Sequence, residues 1–189
     1  MIRGTSSNLS FQTFYVSKEE SNCPLISEVV KVSKKFKEIG LSKNIIEISV
    51  SLRYGKRVLI NSKGSNLKDI KREDFLEIVD YDPLKKVLLA MGIKLPKVET
   101  PVHWLIHHAR DEVNAIIQIN DVELCKKIEN KIPVTEKEYP IGTLEQAKEI
   151  LKNLSNSKRV IIKNQGVLFV GCNIKEVEDL ALKIYEELK

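Results

Sequence analysis

The stretch Ile46-Glu47-Ile48-Ser49-Val50-Ser51-Leu52 alternates apolar and polar residues without a break. That is the period-two pattern of a strand with one face in a core. Arg53-Tyr54-Gly55 follows, and after the turn at Gly55 a second short strand is expected over residues 57–60. Upstream, Ile26, Val29, Val30, Ser33 and Phe36 fall on one helical stripe, with Gly40 as its stop. Downstream, Asp82-Pro83 places proline at the first position of an expected helix over 82–91, and Gly92 lies just past its end. Thr100-Pro101 opens a helix to about residue 108 in the same way, and 115–119 reads as a buried strand. Asp121 is placed to cap a helix beginning at Val122. Thr143 with Gln146 has capping-box spacing for a helix reaching Leu154, and Asn173 with Glu176 repeats it for the C-terminal helix. Strands over 159–162 and 167–170 lie between those helices. Helices and strands thus alternate irregularly, which describes one α/β domain with a central sheet covered by helices.

Composition is consistent with a single core. The chain has 189 residues, of which 42% are apolar, enough for one domain of ordinary size. Its net charge of +5 arises from 31 basic and 26 acidic residues interspersed along the chain, so no basic arm or stripe points to nucleic acid. Cys23, Cys125 and Cys172 show no Cys-x-x-Cys spacing, which argues for reduced thiols in a cytoplasmic protein. No window has the eighteen or so apolar residues that a membrane span requires. Abundant Lys, Ile and Glu with only four Gln is compatible with a thermophilic source. Residues 1–25 are polar and Ser-rich, with an apolar patch at Phe11, Phe14, Tyr15 and Val16, and read as an N-terminal tail or an added edge strand. Residues 26–189 form the domain proper.

Several blocks, taken in order, are similar to those of one known family. Ser51-Leu52-Arg53 followed by Ile60-Asn61-Ser62-Lys63-Gly64 resembles S-V-R and I-T-P-x-G. Glu99-Thr100-Pro101-Val102-His103 and Ala109-Arg110-Asp111-Glu112-Val113-Asn114-Ala115 resemble E-T-P-L-H and A-R-P-D-V-N-A. Gly142-Thr143 and Lys163-Asn164-Gln165-Gly166-Val167 resemble G-T and R-N-H-G-V. On these blocks the chain resembles the class II aldolase/adducin family, in particular fuculose-1-phosphate aldolases. The resemblance implies a mostly antiparallel sheet with helices on both faces, and a homotetramer whose sites lie between subunits.

The resemblance also makes the site's departures visible. Where it places three zinc-binding histidines, this chain has Gln118, Asn120 and Gln165. Neutral imidazoles bind zinc strongly, whereas carboxamide oxygens are weak ligands better suited to hard cations. No zinc or other cofactor is therefore expected. The chain's three histidines, His103, His107 and His108, sit on one expected helix, and His108 points about 100° away from the other two. One helix cannot wrap a tetrahedral site around an ion.

Glu99 falls on the family's catalytic carboxylate, next to a helix N-terminus where the macrodipole favours a negative group. The loop Asn61-Ser62-Lys63-Gly64 matches part of the phosphate cradle, and with Gln118, Asn120 and Gln165 makes up the expected substrate-binding set. The cradle's Gly-Asn pair reads Ile48-Ser49, and its two serines read Lys97-Val98. Two readings follow. One is a zinc-free binding or scaffolding protein that keeps a polar pocket and has lost lyase activity. The other is a metal-independent lyase, isomerase or dehydratase on a phosphorylated or carboxylated sugar-like metabolite, with Glu99 as acid/base and Lys63, Lys97 or Arg53 stabilising negative charge. Schiff-base chemistry is the weakest option, because no lysine is legible as buried.

Overall fold

The computed structural model describes residues 3–4, 10–38 and 47–187. Among these residues nine strands form one sheet in the order β1-β2-β6-β5-β4-β3-β7-β9-β8. In chain order these are β1 (Arg3–Gly4), β2 (Gln12–Ser17), β3 (Glu47–Tyr54), β4 (Arg57–Asn61), β5 (Phe75–Asp82), β6 (Val87–Met91), β7 (Ala115–Asn120), β8 (Arg159–Ile162) and β9 (Gly166–Gly171). Five helices cover it: α1 (Ile26–Glu38), α2 (Thr100–Ala109), α3 (Val122–Ile128), α4 (Leu144–Leu154) and α5 (Ile174–Glu186). All neighbouring strands run antiparallel except β2 and β6.

The two faces of the sheet bury separate cores, as period-two alternation requires. Ile48, Val50, Leu52, Ile117, Ile119 and Phe169 pack under α1, α3 and α5. Ile116, Leu168, Val170 and Val160 pack under α2 and α4 through Val102, Ile106, Ala147 and Ile150. On α1 the buried stripe is Ile26, Val29, Val32, Ser33 and Phe36, with Val30 only partly covered. Its expected stop at Gly40, and Ile46 at the head of the quoted strand, lie outside the described residues. The N-terminal patch supplies an added strand: β2 pairs with β6, and Phe11 and Tyr15 join Tyr81, Leu88 and Trp104 in a third cluster.

One expected element is corrected. Residues 82–91 are not a helix but the turn and second strand of a hairpin, with β5 and β6 antiparallel on either side. Asp82 Oδ1 accepts from the amides of Leu84 and Lys85 at 2.9 and 3.0 Å, a side-chain turn that competes with helix initiation. Lys86 then adopts φ 53°, which reverses the chain into β6. Pro83 thus sits in a turn, a role as common for proline as the first turn of a helix.

The capped helices form where the sequence places them. Asp121 accepts from Leu124 N at 3.0 Å, Thr143 from Gln146 N at 3.3 Å and Asn173 from Glu176 N at 2.9 Å. In the last two the returning arm reaches one residue further back. Gln146 Oε1 accepts from Gly142 N, and Glu176 Oε2 from Cys172 N, both at 2.9 Å.

Candidate functional site

The polar phase of β3 does not face solvent. Ser49 and Ser51 are fully buried, lying on the sheet face that carries Ile116 and Gln118 of the adjacent β7. Helix α2 crosses above them and presents Glu99, His103 and His107. The site is therefore a polar seam between one helix and two strands, inside an otherwise apolar interface.

The seam opens where β3 and β4 part. Their ladder runs only from Ser51↔Ile60 to Tyr54↔Arg57, so Val50 and Ile48 lack a strand partner on that edge. Asn61 takes the place of the missing ladder: its Oδ1 accepts from Val50 N at 2.7 Å, and its Nδ2 donates to Ile48 O at 3.0 Å and to Ser65 Oγ at 2.8 Å. Lys97 enters the same gap, with Nζ donating to Ile48 O at 2.8 Å and to Ser49 Oγ at 3.1 Å. Ser49 in turn donates to Glu99 Oε1 at 2.5 Å. Lys97, Ser49 and Glu99 thus form a buried relay, with lysine and glutamate only 2% and 3% exposed.

Burial is the main cause that pushes the Lys97 ammonium below the ordinary lysine range, with Glu99 and Glu47 opposing it. This buried amine was not legible beforehand. Only the parting of two strands makes room for it. Glu99 makes no side-chain cap to α2, so its carboxylate is directed at the relay.

The histidines share one serine. Ser51 Oγ lies 2.8 Å from His103 Nδ1 and 2.9 Å from His107 Nε2, while His107 Nδ1 donates to Val113 O at 3.0 Å. His103 Nε2 stands 3.3 Å from the Gln118 amide, which is bonded at 2.8 Å to Asn120. Burial pushes His103 down to about 4 and His107 down to about 3. His108 points elsewhere, stacked on Trp104 with ring centroids 3.7 Å apart. Arg53 donates through Nη2 to the backbone carbonyls of His107, Arg110 and Val113, which ties β3 to the end of α2.

Gln165 is brought beside Asn120 by Gly166. A side chain at that glycine would lie 2.2 Å from Ile119 O and 2.8 Å from Asn120 Cα, so only glycine permits β9 to approach β7 there. Gln165 Oε1 accepts from Gln146 Nε2 at 2.8 Å. Gly142, at φ 81°, packs its Cα face against Val98 O, which fixes the 139–142 loop next to Glu99. The structure therefore gathers Glu99, Gln118, Asn120 and Gln165 around one end of β7, with Gln146 as a fifth polar member that sequence reading treated only as a cap.

The expected phosphate loop is divided. Asn61 is engaged by the backbone of Ile48 and Val50 and by the Ser65 hydroxyl, Ser62 is buried with no partner for its hydroxyl, and Lys63 and Gly64 are exposed. Asn164, at φ 58°, donates outward to Glu138.

Zinc does not fit this donor set. The side chains of Gln118, Asn120 and Gln165, expected from the resemblance to stand at metal-ligand positions, are neutral amides bonded to one another or to Gln146, and zinc is held by thiolate, imidazole or carboxylate. Among the described residues, no group of three or more His, Cys, Asp or Glu is placed to hold a metal ion. No helix among them is long and apolar enough to cross a membrane.

Residues 27–119 match the family described as Class II Aldolase and Adducin N-terminal domain. Over those residues the chain is similar to the class II aldolase and adducin family. Its fold is similar to L-fuculose 1-phosphate aldolase, with TM-score 0.73 and 18% identity over 88% of this chain and 84% of that one. The L-fuculose-1-phosphate aldolase of Thermus thermophilus aligns with TM-score 0.63 and 18% identity over 86% and 90%. The sugar-phosphate aldolase of Thermotoga maritima gives 0.62 and 21% over 85% and 90%. At these identities the likeness is one of fold. No curated protein sequence matches the chain.

Proposed function

We propose that this protein binds a small phosphorylated, sugar-like metabolite at the amide cluster beside Glu99, holds no resident zinc, and has lost the family's lyase activity. The observation that carries this reading is the amide set itself. Gln118, Asn120 and Gln165 are tied at 2.8 Å into side-chain hydrogen bonds that suit hydroxyl ligands. Without a Lewis acid, loss of several kcal/mol of enolate stabilisation corresponds to roughly a thousandfold or more in rate. Self-association into a tetramer, cytoplasmic residence and a thermophilic source belong to the same proposal. Sedimentation measurements test the assembly.

A second reading has its own observation in the Lys97–Ser49–Glu99 relay. A buried ammonium and a carboxylate joined through one hydroxyl supply an electrophile and a base without metal, so a metal-independent enzyme using Glu99 as acid/base is the alternative. One experiment separates the two. L-fuculose 1-phosphate is offered to the purified protein with and without chelator, and binding and turnover are followed in wild type and Glu99→Gln. Binding without turnover supports the first reading. Chelator-insensitive turnover lost in Glu99→Gln supports the second. Turnover that a chelator stops and zinc restores defeats both.

A further inference from the structure

The chain of contacts from Val113 to Asn120 admits only one placement of its hydrogens when both rings are neutral. Val113 O can only accept, so His107 carries its proton on Nδ1. The neutral ring then offers a lone pair at Nε2, and Ser51 must donate its single hydroxyl proton there. Having given that proton, Ser51 Oγ can only accept from His103, so His103 is protonated on Nδ1 as well. Its Nε2 lone pair is thereby directed at the Gln118 amide, 3.3 Å away. The structure places Gln118 Oε1 there, which sets two lone pairs against each other. A half-turn of the amide exchanges oxygen for nitrogen without moving the side chain and restores a donor. The structure has Gln118 Nε2 donating to Asn120 Oδ1 at 2.8 Å, and the half-turn reverses that bond, so that Asn120 turns too and donates to Gln118.

The opposite arrangement needs a proton on His103 Nε2. With His103 neutral, Ser51 would then have to donate to His103 Nδ1 and accept from His107 Nε2, making His107 a buried imidazolium; with Ser51 unchanged, His103 itself becomes the buried imidazolium. Lys97 from the loop before α2, Arg53 from β3 and His108 on α2 all act against a further positive charge there.

We infer that His103 and His107, acting through Ser51 and Gln118, set the hydrogen-bond polarity of the pocket edge, so that Asn120 offers a carbonyl oxygen there to a ligand group that donates, such as a sugar hydroxyl. This rests on the proposed binding at that edge. His103 and His107 are positioning residues: they touch no ligand and dictate which way two amides face. Asn120, half-buried at the rim, is the residue that discriminates.

The test reads the tautomers directly. Long-range nitrogen–proton correlation spectra of histidine-labelled protein at neutral pH are expected to show both rings protonated at Nδ1 only. The Gln118→Glu variant, whose carboxylate can only accept, is expected to move the His103 proton to Nε2 or add a second one, a signature that mere loosening of the fold would not produce. In calorimetry with L-fuculose 1-phosphate, Asn120→Leu is expected to weaken binding roughly tenfold, the loss of about one hydrogen bond, with the wild-type tautomers retained. A His103 ring protonated at Nε2 in the wild-type protein overturns the inference even if the sugar phosphate binds. Expected tautomers with no binding defeat the pocket reading and leave the polarity standing.

Discussion

Lowering the pH from 7 to 5 should remove about 4 kcal/mol of folding free energy through His103 and His107 alone. In the unfolded chain each imidazole titrates at about 6.5, while in the fold burial holds them at about 4 and about 3. Both folded values are depressed, so between pH 6.5 and 4 the unfolded state binds protons that the folded state refuses. Stability therefore falls as pH falls. Each ring contributes close to 1.36 kcal/mol per pH unit below 6.5, or nearly 2 kcal/mol by pH 5. Because pH 5 lies above both folded values, this figure depends little on either of them. The assay is urea unfolding at the two pH values, in wild type and in His107→Gln. Carboxylates elsewhere contribute equally to both proteins, so the difference between the two drops isolates His107 and should be about 2 kcal/mol. Equal drops in the two proteins would show that His107 is protonated in the fold, and would refute the account of a neutral buried pair.

Placing imidazoles by the triple change Gln118→His, Asn120→His and Gln165→His should raise zinc affinity above that of the natural chain. Metal analysis should rise from substoichiometric to near one ion per chain, and saturating zinc at about a hundred times its Kd should stabilise the variant by roughly 2.7 kcal/mol. Asn61→Ala removes the partner of Val50 N in the gap between β3 and β4 and one of the two donors to Ile48 O, which keeps Lys97 Nζ. Denaturant unfolding should register a loss of about 1 to 3 kcal/mol, the cost of one stranded buried backbone N–H. Gly142→Ala should destabilise by about 2 kcal/mol or more, since φ 81° disfavours a side chain and the new Cβ would lie 2.2 Å from Val98 O. A melting temperature unchanged from wild type would show that the 139–142 loop moves away freely.

Much of the scaffold was legible in the chain because its signals are local. Alternation in β3, the buried run of β7 and the caps at Asp121, Thr143 and Asn173 each depend on residues a few positions apart. The ordered blocks placed Glu99 and the three amides in one family frame. Local signals also misled once, at Asp82-Pro83, where the same two residues suit a helix start and a turn. Pairing with β5, which no short window contains, decided for the hairpin.

What the sequence by itself determined was the donor chemistry: amides stand at three positions where imidazoles are expected, and no fold can change what a carboxamide oxygen binds. Tertiary structure alone decided which polar groups meet. Ser49 and Ser51 look like the wet face of a strand, and Lys97 looks like a solvated charge, until α2 closes over them and the parting of β3 from β4 leaves a gap of unpaired backbone for the lysine to fill. Burial and hydrogen-bond partnership are properties of neighbours far apart in the chain, here Ser49 with Glu99 and Ser51 with His107, and so they exist only once the sheet and helix are packed.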